Sequence, residues 1–110
     1  MSYCPKRGDI IWIDFTPQAG HEQRGVRPAL VISPFIYNRK TRLALICPIT
    51  SQIKSHPFEV KLTRSMQTKG VVISDQLKSL DWSVRYSEFI EKVNPSVLNE
   101  VLEKFKLLIE

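Results

Sequence analysis

Short apolar runs, rich in β-branched residues and each closed by proline, glycine or a polar cluster, constrain the fold of this chain most strongly. Residues 10–15 (Ile-Ile-Trp-Ile-Asp-Phe), 29–32 (Ala-Leu-Val-Ile), 43–49 (Leu-Ala-Leu-Ile-Cys-Pro-Ile) and 70–73 (Gly-Val-Val-Ile) are too short to bury a helical face. They suit a pleated surface instead. Residues 57–62 alternate Phe58, Val60 and Leu62 with Glu59 and Lys61, the pattern of a half-exposed strand. Residues 87–93 read as a last strand, and 75–80 fit neither template. Gly8-Asp9 is a turn signal before the first strand. Residues 35–41 suit one helical turn, with Ser33 as its cap and Pro34 at its first position. The third run is expected to end near Pro48.

The C-terminal pattern differs. Asn94-Pro95 supplies a cap and a first-turn proline, and Val97, Leu98, Val101, Leu102, Phe105, Leu108 and Ile109 then fall on one helical face. Several antiparallel strands followed by one amphipathic helix predict a mainly β fold, a small curled sheet or barrel with the helix across one opening.

The chain has 110 residues, the size of a single domain spanning 1–110. Its apolar runs fall far short of the roughly 20 residues of a membrane span, and no secretory pattern precedes the first strand. Cys4 and Cys47 give no disulfide framework, and with His21 and His56 they show no metal-ligand spacing, so no metal or cofactor is expected. The default compartment is the cytoplasm. The net charge is +5, but residues 24–78 hold ten basic side chains against only Glu59 and Asp75. That section is +8 and the remainder −3. A basic section of this kind suits a polyanion, RNA or DNA first, although a solvated basic surface has the same composition.

Between the first two runs lies Gly20-His21-Glu22-Gln23-Arg24-Gly25-Val26-Arg27-Pro28. A plain hairpin connection needs about two to five residues and no such collection of charge. Long polar loops on a rigid scaffold are where binding and catalytic groups concentrate.

Five segments follow one another in a specific order: Gly8-Asp9-Ile10-Ile11-Trp12, the Gly20–Val31 stretch just quoted with its Ala29-Leu30-Val31 ending, Pro48-Ile49-Thr50-Ser51, Pro57-Phe58-Glu59-Val60, and Gly70-Val71-Val72-Ile73-Ser74-Asp75-Gln76-Leu77-Lys78. In order and spacing the chain resembles the MazF/PemK family of toxin endoribonucleases, from about Lys6 to the C-terminal helix. The resemblance implies an SH3-like barrel of antiparallel strands, a homodimer, and cleavage of single-stranded RNA without a metal. It implies a short cut sequence, often containing ACA in MazF-type members. It also implies growth inhibition held in check by a MazE/PemI-like antitoxin, whose acidic C-terminal segment covers the RNA site.

By the same resemblance Arg27 and Thr50 match the catalytic pair. A guanidinium fork fits two phosphoryl oxygens, and a threonine hydroxyl can donate to a non-bridging one. Arginine is a poor proton acceptor, so electrostatic stabilisation is its expected role. The bland readings are an arginine at a sheet edge and a threonine closing a strand. His21 is the alternative acid or base, or an RNA contact. Kid-type relatives combine a loop histidine with an aspartate and an arginine two residues before it; here Asp75 is present but Ile73 occupies the arginine position. That departure favours Arg27 and Thr50. Glu22 and Gln23 are expected to read bases, and Ser51, Gln52, Lys54, Asp75, Gln76 and Lys78 to line the RNA path. Phe15 and Phe58 are read either as base-stacking rings or as core, and His56 as a surface residue without a partner.

Two other functions compete. A gyrase poison of CcdB type shares the fold but depends on a Trp-Gly-Ile ending, whereas this chain ends Leu107-Leu108-Ile109-Glu110. An inactive SH3-like nucleic-acid-binding module would need basic and aromatic residues but not the Arg27/Thr50 pair.

Overall fold

The structure, a computed structural model, describes residues 3–16 and 25–110. Within the described residues, seven strands and two helices follow in the order β1 (Asp9–Asp14), β2 (Val26–Val31), α1 (Phe35–Thr41), β3 (Leu43–Thr50), β4 (Glu59–Lys61), β5 (Val71–Ile73), β6 (Lys78–Asp81), β7 (Ser87–Lys92) and α2 (Pro95–Lys106). Six strands form the ladder β4-β5-β3-β2-β1-β7, and β6 pairs with β3 off this path. All pairings are antiparallel. The mainly β class with a C-terminal helix holds, but the ladder is open rather than a closed barrel, with β4 and β7 as its ends.

β1 and β2 are central, which explains their nearly continuous apolar sequences. Ile10, Leu30, Cys47, Ile49 and Val72 pack on one side with Val97 and Val101 of α2. Ile11, Ile13, Ala29, Val31 and Ile46 pack on the other with Leu80 and Trp82. Neighbours along β1 thus enter different clusters, as the period of two requires.

Three local expectations change. The third run does not end near Pro48: β3 continues to Thr50, with Pro48 opposite Ala29 of β2. On its other side β3 pairs with β6 through residues 43–46 and with β5 from Ile49 onward. Pro48 falls in the gap between those partners, where a missing N–H breaks no ladder bond. Ser33 does not cap α1, since Pro34 holds the cap position without a side-chain bond. The Ser33 hydroxyl instead donates to Asn38 Oδ1 (2.5 Å) and accepts from Leu45 N (2.9 Å), tying α1 to β3. At the C-terminus, Leu108 and Ile109 lie beyond α2 and are exposed. Tight i→i−3 bonds from Leu107, Leu108 and Ile109 carry the chain off the helical face. The Asn94 cap is present as expected, its side chain accepting from Ser96 N at 2.9 Å.

None of the helices described is long and apolar enough to cross a membrane.

Candidate active site

Arg27 lies on β2 opposite Ile13, at the end of the strand where side chains emerge: Val26 and Arg27 are exposed, while Ala29, Leu30 and Val31 are buried. Thr50 is the last residue of the neighbouring strand β3 and pairs with Val71. The two strand ends border one cleft of about 410 Å³, lined by Arg27, Pro28, Ile49, Thr50, Ser51, Gln52 and Lys69. Residues 23 positions apart in sequence therefore meet because β2 and β3 are hydrogen-bonded neighbours. Thr50 Oγ1 accepts from Gln52 N at 3.1 Å. With its acceptor side engaged, the hydroxyl can present its proton to an oxygen in the cleft.

A second hollow of about 230 Å³ opens beside the first and shares Thr50 and Gln52 with it. Lys54, His56, Glu59, Ile73, Asp75 and Gln76 complete it. The Glu59 carboxylate accepts from Lys54 N (3.1 and 3.3 Å), which holds the β3–β4 connection close to the sheet. Ser74 is buried, and its N–H and hydroxyl both donate to Phe58 O (3.0 and 2.5 Å). These bonds place Asp75 at the rim of the hollow.

His56 lies at the surface as expected, but it is not without partners. Its Nε2 lies 3.8 Å from Asp75 Oδ2, and its Nδ1 accepts from Phe58 N at 3.1 Å. An accepting Nδ1 places the neutral ring's proton on Nε2, facing the carboxylate. In this arrangement His56 is an N–H donor and offers no lone pair to a substrate proton. Its pairing was not legible because its acidic partner, Asp75, lies 19 residues away on another connection.

The other expected site residues divide. Ser51, Gln52, Lys54, Asp75 and Gln76 line the two hollows. Phe15 does not face a ligand: it is fully buried with Ile11, Ile13 and Trp82, so its ring is core. Phe58 is half-buried and packs edgewise against His56, with ring centroids 6.0 Å apart and planes tilted by 50°. Lys78 begins β6 opposite Ile46 and is half-buried. His21, Glu22 and Gln23 lie outside the described residues. Lys69 lines the cleft without having been singled out; in sequence it is one of ten basic residues in the middle section.

Beneath the site Cys47 is fully buried. Burial, and after it the charge of Asp75, pushes its thiol up to about 12. A larger hollow, about 1080 Å³, lies elsewhere, between the N-terminal segment, α1 and β7. It shares no residue with the other two. Cations there already face rings, Lys6 over Phe35 at 5.9 Å and Arg42 over Trp82 at 6.0 Å.

The sequence model of the family described as "PemK-like, MazF-like toxin of type II toxin-antitoxin system" matches residues 6–109. The chain is 45% identical to the endoribonuclease toxin MazF of Escherichia coli (strain K12), over 97% of this chain and 96% of that one. It is 36% identical to the endoribonuclease PemK of Escherichia coli, over 94% and 81%. Among solved structures, MazF of Deinococcus radiodurans superposes with a TM-score of 0.94 at 47% identity, covering 98% of both chains. A MazE–MazF crystal structure from the same organism gives 0.89 at 45% identity, over 97% of both. On this match of sequence and fold over nearly its whole length, the chain belongs to the PemK-like, MazF-like family of toxins of type II toxin–antitoxin systems.

Proposed function

We propose that this protein is an endoribonuclease toxin that cuts single-stranded mRNA at short sequences, without a metal ion, and thereby stops translation and growth. The observation that carries the reading is the meeting of Arg27 and Thr50 in one cleft at adjoining strand ends. In the proposed reaction the substrate's own 2′-oxygen attacks the adjacent phosphorus, and the bond from phosphorus to the 5′-oxygen breaks. The 2′-OH loses its proton and the 5′-oxygen gains one, which leaves a 2′,3′-cyclic phosphate and a 5′-OH. The barrier is dominated by negative charge gathering on the non-bridging oxygens. The Arg27 fork neutralises that charge, and the Thr50 hydroxyl donates to it. Ser51 in the cleft and Gln52 on the shared rim, with Lys54, Asp75 and Gln76 beyond, would hold the flanking nucleotides.

The proposed partners are single-stranded RNA, a second copy of the chain, and a MazE-like antitoxin with an acidic segment. The working compartment is the cytoplasm. Complexes of related toxins with MazE support the antitoxin reading. The test is incubation of antitoxin-free protein with single-stranded RNA in EDTA, followed by end-group analysis. Cyclic phosphate and 5′-OH ends are expected, and Arg27→Ala should form both far more slowly. Failure of folded wild-type protein to cut any RNA would overturn the reading.

A further inference from the structure

Lys69 stands on the same cleft as Arg27 and Thr50, and the chain around it is unusually well fixed for a connection between strands. Its Nζ donates to the carbonyls of Met66 (2.8 Å) and Arg64 (3.1 Å). Met66 is itself buried in the core, only 6% exposed. Upstream, Gln67 N, Thr68 N and Thr68 Oγ1 donate to the Glu91 carboxylate of β7 at 3.1, 2.6 and 2.6 Å. Downstream, Gly70 at φ +115° lies so close to β3 that a Cβ there would fall 2.1 Å from Thr50 O. The segment carrying Lys69 is thus locked to Thr50 on one side and to β7 on the other.

An ammonium has three N–H donors, and two are taken by the carbonyls. Among the described residues the third has no acceptor. A free lysine gives up rotamer freedom when it is held; here two carbonyls already hold the side chain. Two main-chain carbonyls cannot neutralise its charge. Glu91, the acid nearby, is occupied by its three bonds to residues 67 and 68.

We infer that Lys69 is a phosphate-binding residue of this cleft, holding a backbone phosphate of the single-stranded RNA next to the phosphate at Arg27 and Thr50. The inference rests on the proposed reading of the cleft as an RNA site. A neighbouring phosphate is favoured over the reacting one for two reasons. Arg27 and Thr50 already supply donors to the latter, and an ammonium tethered to two carbonyls cannot follow a phosphorus that changes geometry.

The test separates binding from cutting. Affinity for a 2′-deoxy single-stranded oligonucleotide, which lacks the nucleophile, is measured against salt concentration for wild type, Lys69→Gln and Lys69→Arg. Cleavage of the matching RNA is followed in parallel, with circular dichroism as the folding control. Removing one phosphate contact should weaken binding roughly tenfold at low salt and make the log–log salt slope shallower by about 0.7. Lys69→Arg should keep the slope, and Lys69→Gln should raise KM while leaving kcat close to wild type. An unchanged slope in folded Lys69→Gln would overturn the inference, as would a loss confined to kcat. If wild type binds the oligonucleotide but cuts no RNA, the endoribonuclease reading fails and the slope still decides the role of Lys69. If wild type binds no oligonucleotide, the inference is overturned as well.

Discussion

At the residue scale, chemistry and stability separate at Arg27. The side chain is exposed at a strand end, so its removal opens no cavity. Arg27→Ala should lower kcat by about 10²–10³-fold, the usual effect of losing a preorganised donor at developing charge. Its effect on unfolding should stay within about 1 kcal/mol. Single-turnover cleavage and thermal melts check both, and relief of growth arrest is the cellular readout. Thr50→Ser should keep most activity and Thr50→Val should not, because the proposed role belongs to the hydroxyl and not to the methyl. His21→Ala should retain substantial cleavage; an inactive His21→Ala beside an active Arg27→Ala would reverse the assignment. Cys47 supplies a second kind of test. With its thiol held up near 12 by burial and by Asp75, the thiolate is scarce at neutral pH. Iodoacetamide should therefore leave Cys47 unmodified in the folded protein and label it after denaturation, as read by mass spectrometry.

At the scale of elements, the connection between β4 and β5 is held by contacts far apart in sequence. Burial by itself would raise the Glu91 carboxyl. Hydrogen bonds from Thr68 and Gln67, and then the charge of Lys69, outweigh burial and hold it below its ordinary value of 4.5. A carboxylate lowered by folding stabilises the native state above its unfolded pKa, and that stabilisation fades as pH falls through the folded value. The melting-temperature gap between wild type and Glu91→Gln should therefore be constant at neutral pH and close on acidification below about 4.5. Gly70→Ala should destabilise by more than about 1 kcal/mol, since it forces a positive φ and a collision with the Thr50 carbonyl. Activity should fall with it because Thr50 is displaced. Asn94→Ala removes the α2 cap and should lower stability by about 1 kcal/mol. In a domain of this size that is a drop of roughly 4–8 °C in Tm.

For the whole molecule, the excess of positive charge belongs to the middle of the chain, from β2 through the start of β6. Arg27, Lys54 and Lys69 of that section line the two hollows around Thr50. Association with RNA should therefore slow with added salt, whereas substitution of basic residues far from the hollows should change it little. Chelation should leave the cleavage rate unchanged, because the proposed mechanism assigns charge neutralisation to Arg27 and Thr50. Stopped-flow binding across a salt series and cleavage with and without EDTA measure the two effects.

The sequence by itself determined the strand-rich class, the capped C-terminal helix, the polar insertion ahead of Arg27 and the family. Each is written locally: alternation and β-branching for strands, Asn94-Pro95 for the cap, ordered short motifs for the kinship. Tertiary structure decided which side chains share a surface. Pro48 reads as a strand end but sits harmlessly where β3 changes partners from β6 to β5. Phe15 is compatible with either a stacking ring or core until the packing against Trp82 assigns it to the core. His56 gains Asp75 across two connections, and Lys69 becomes part of the Arg27 cleft because Gly70 lets its segment press against Thr50. Local patterns select backbone conformation through short-range sterics and burial. Which strand ends adjoin depends on the order of pairing in the sheet, and no single stretch of the chain records that order.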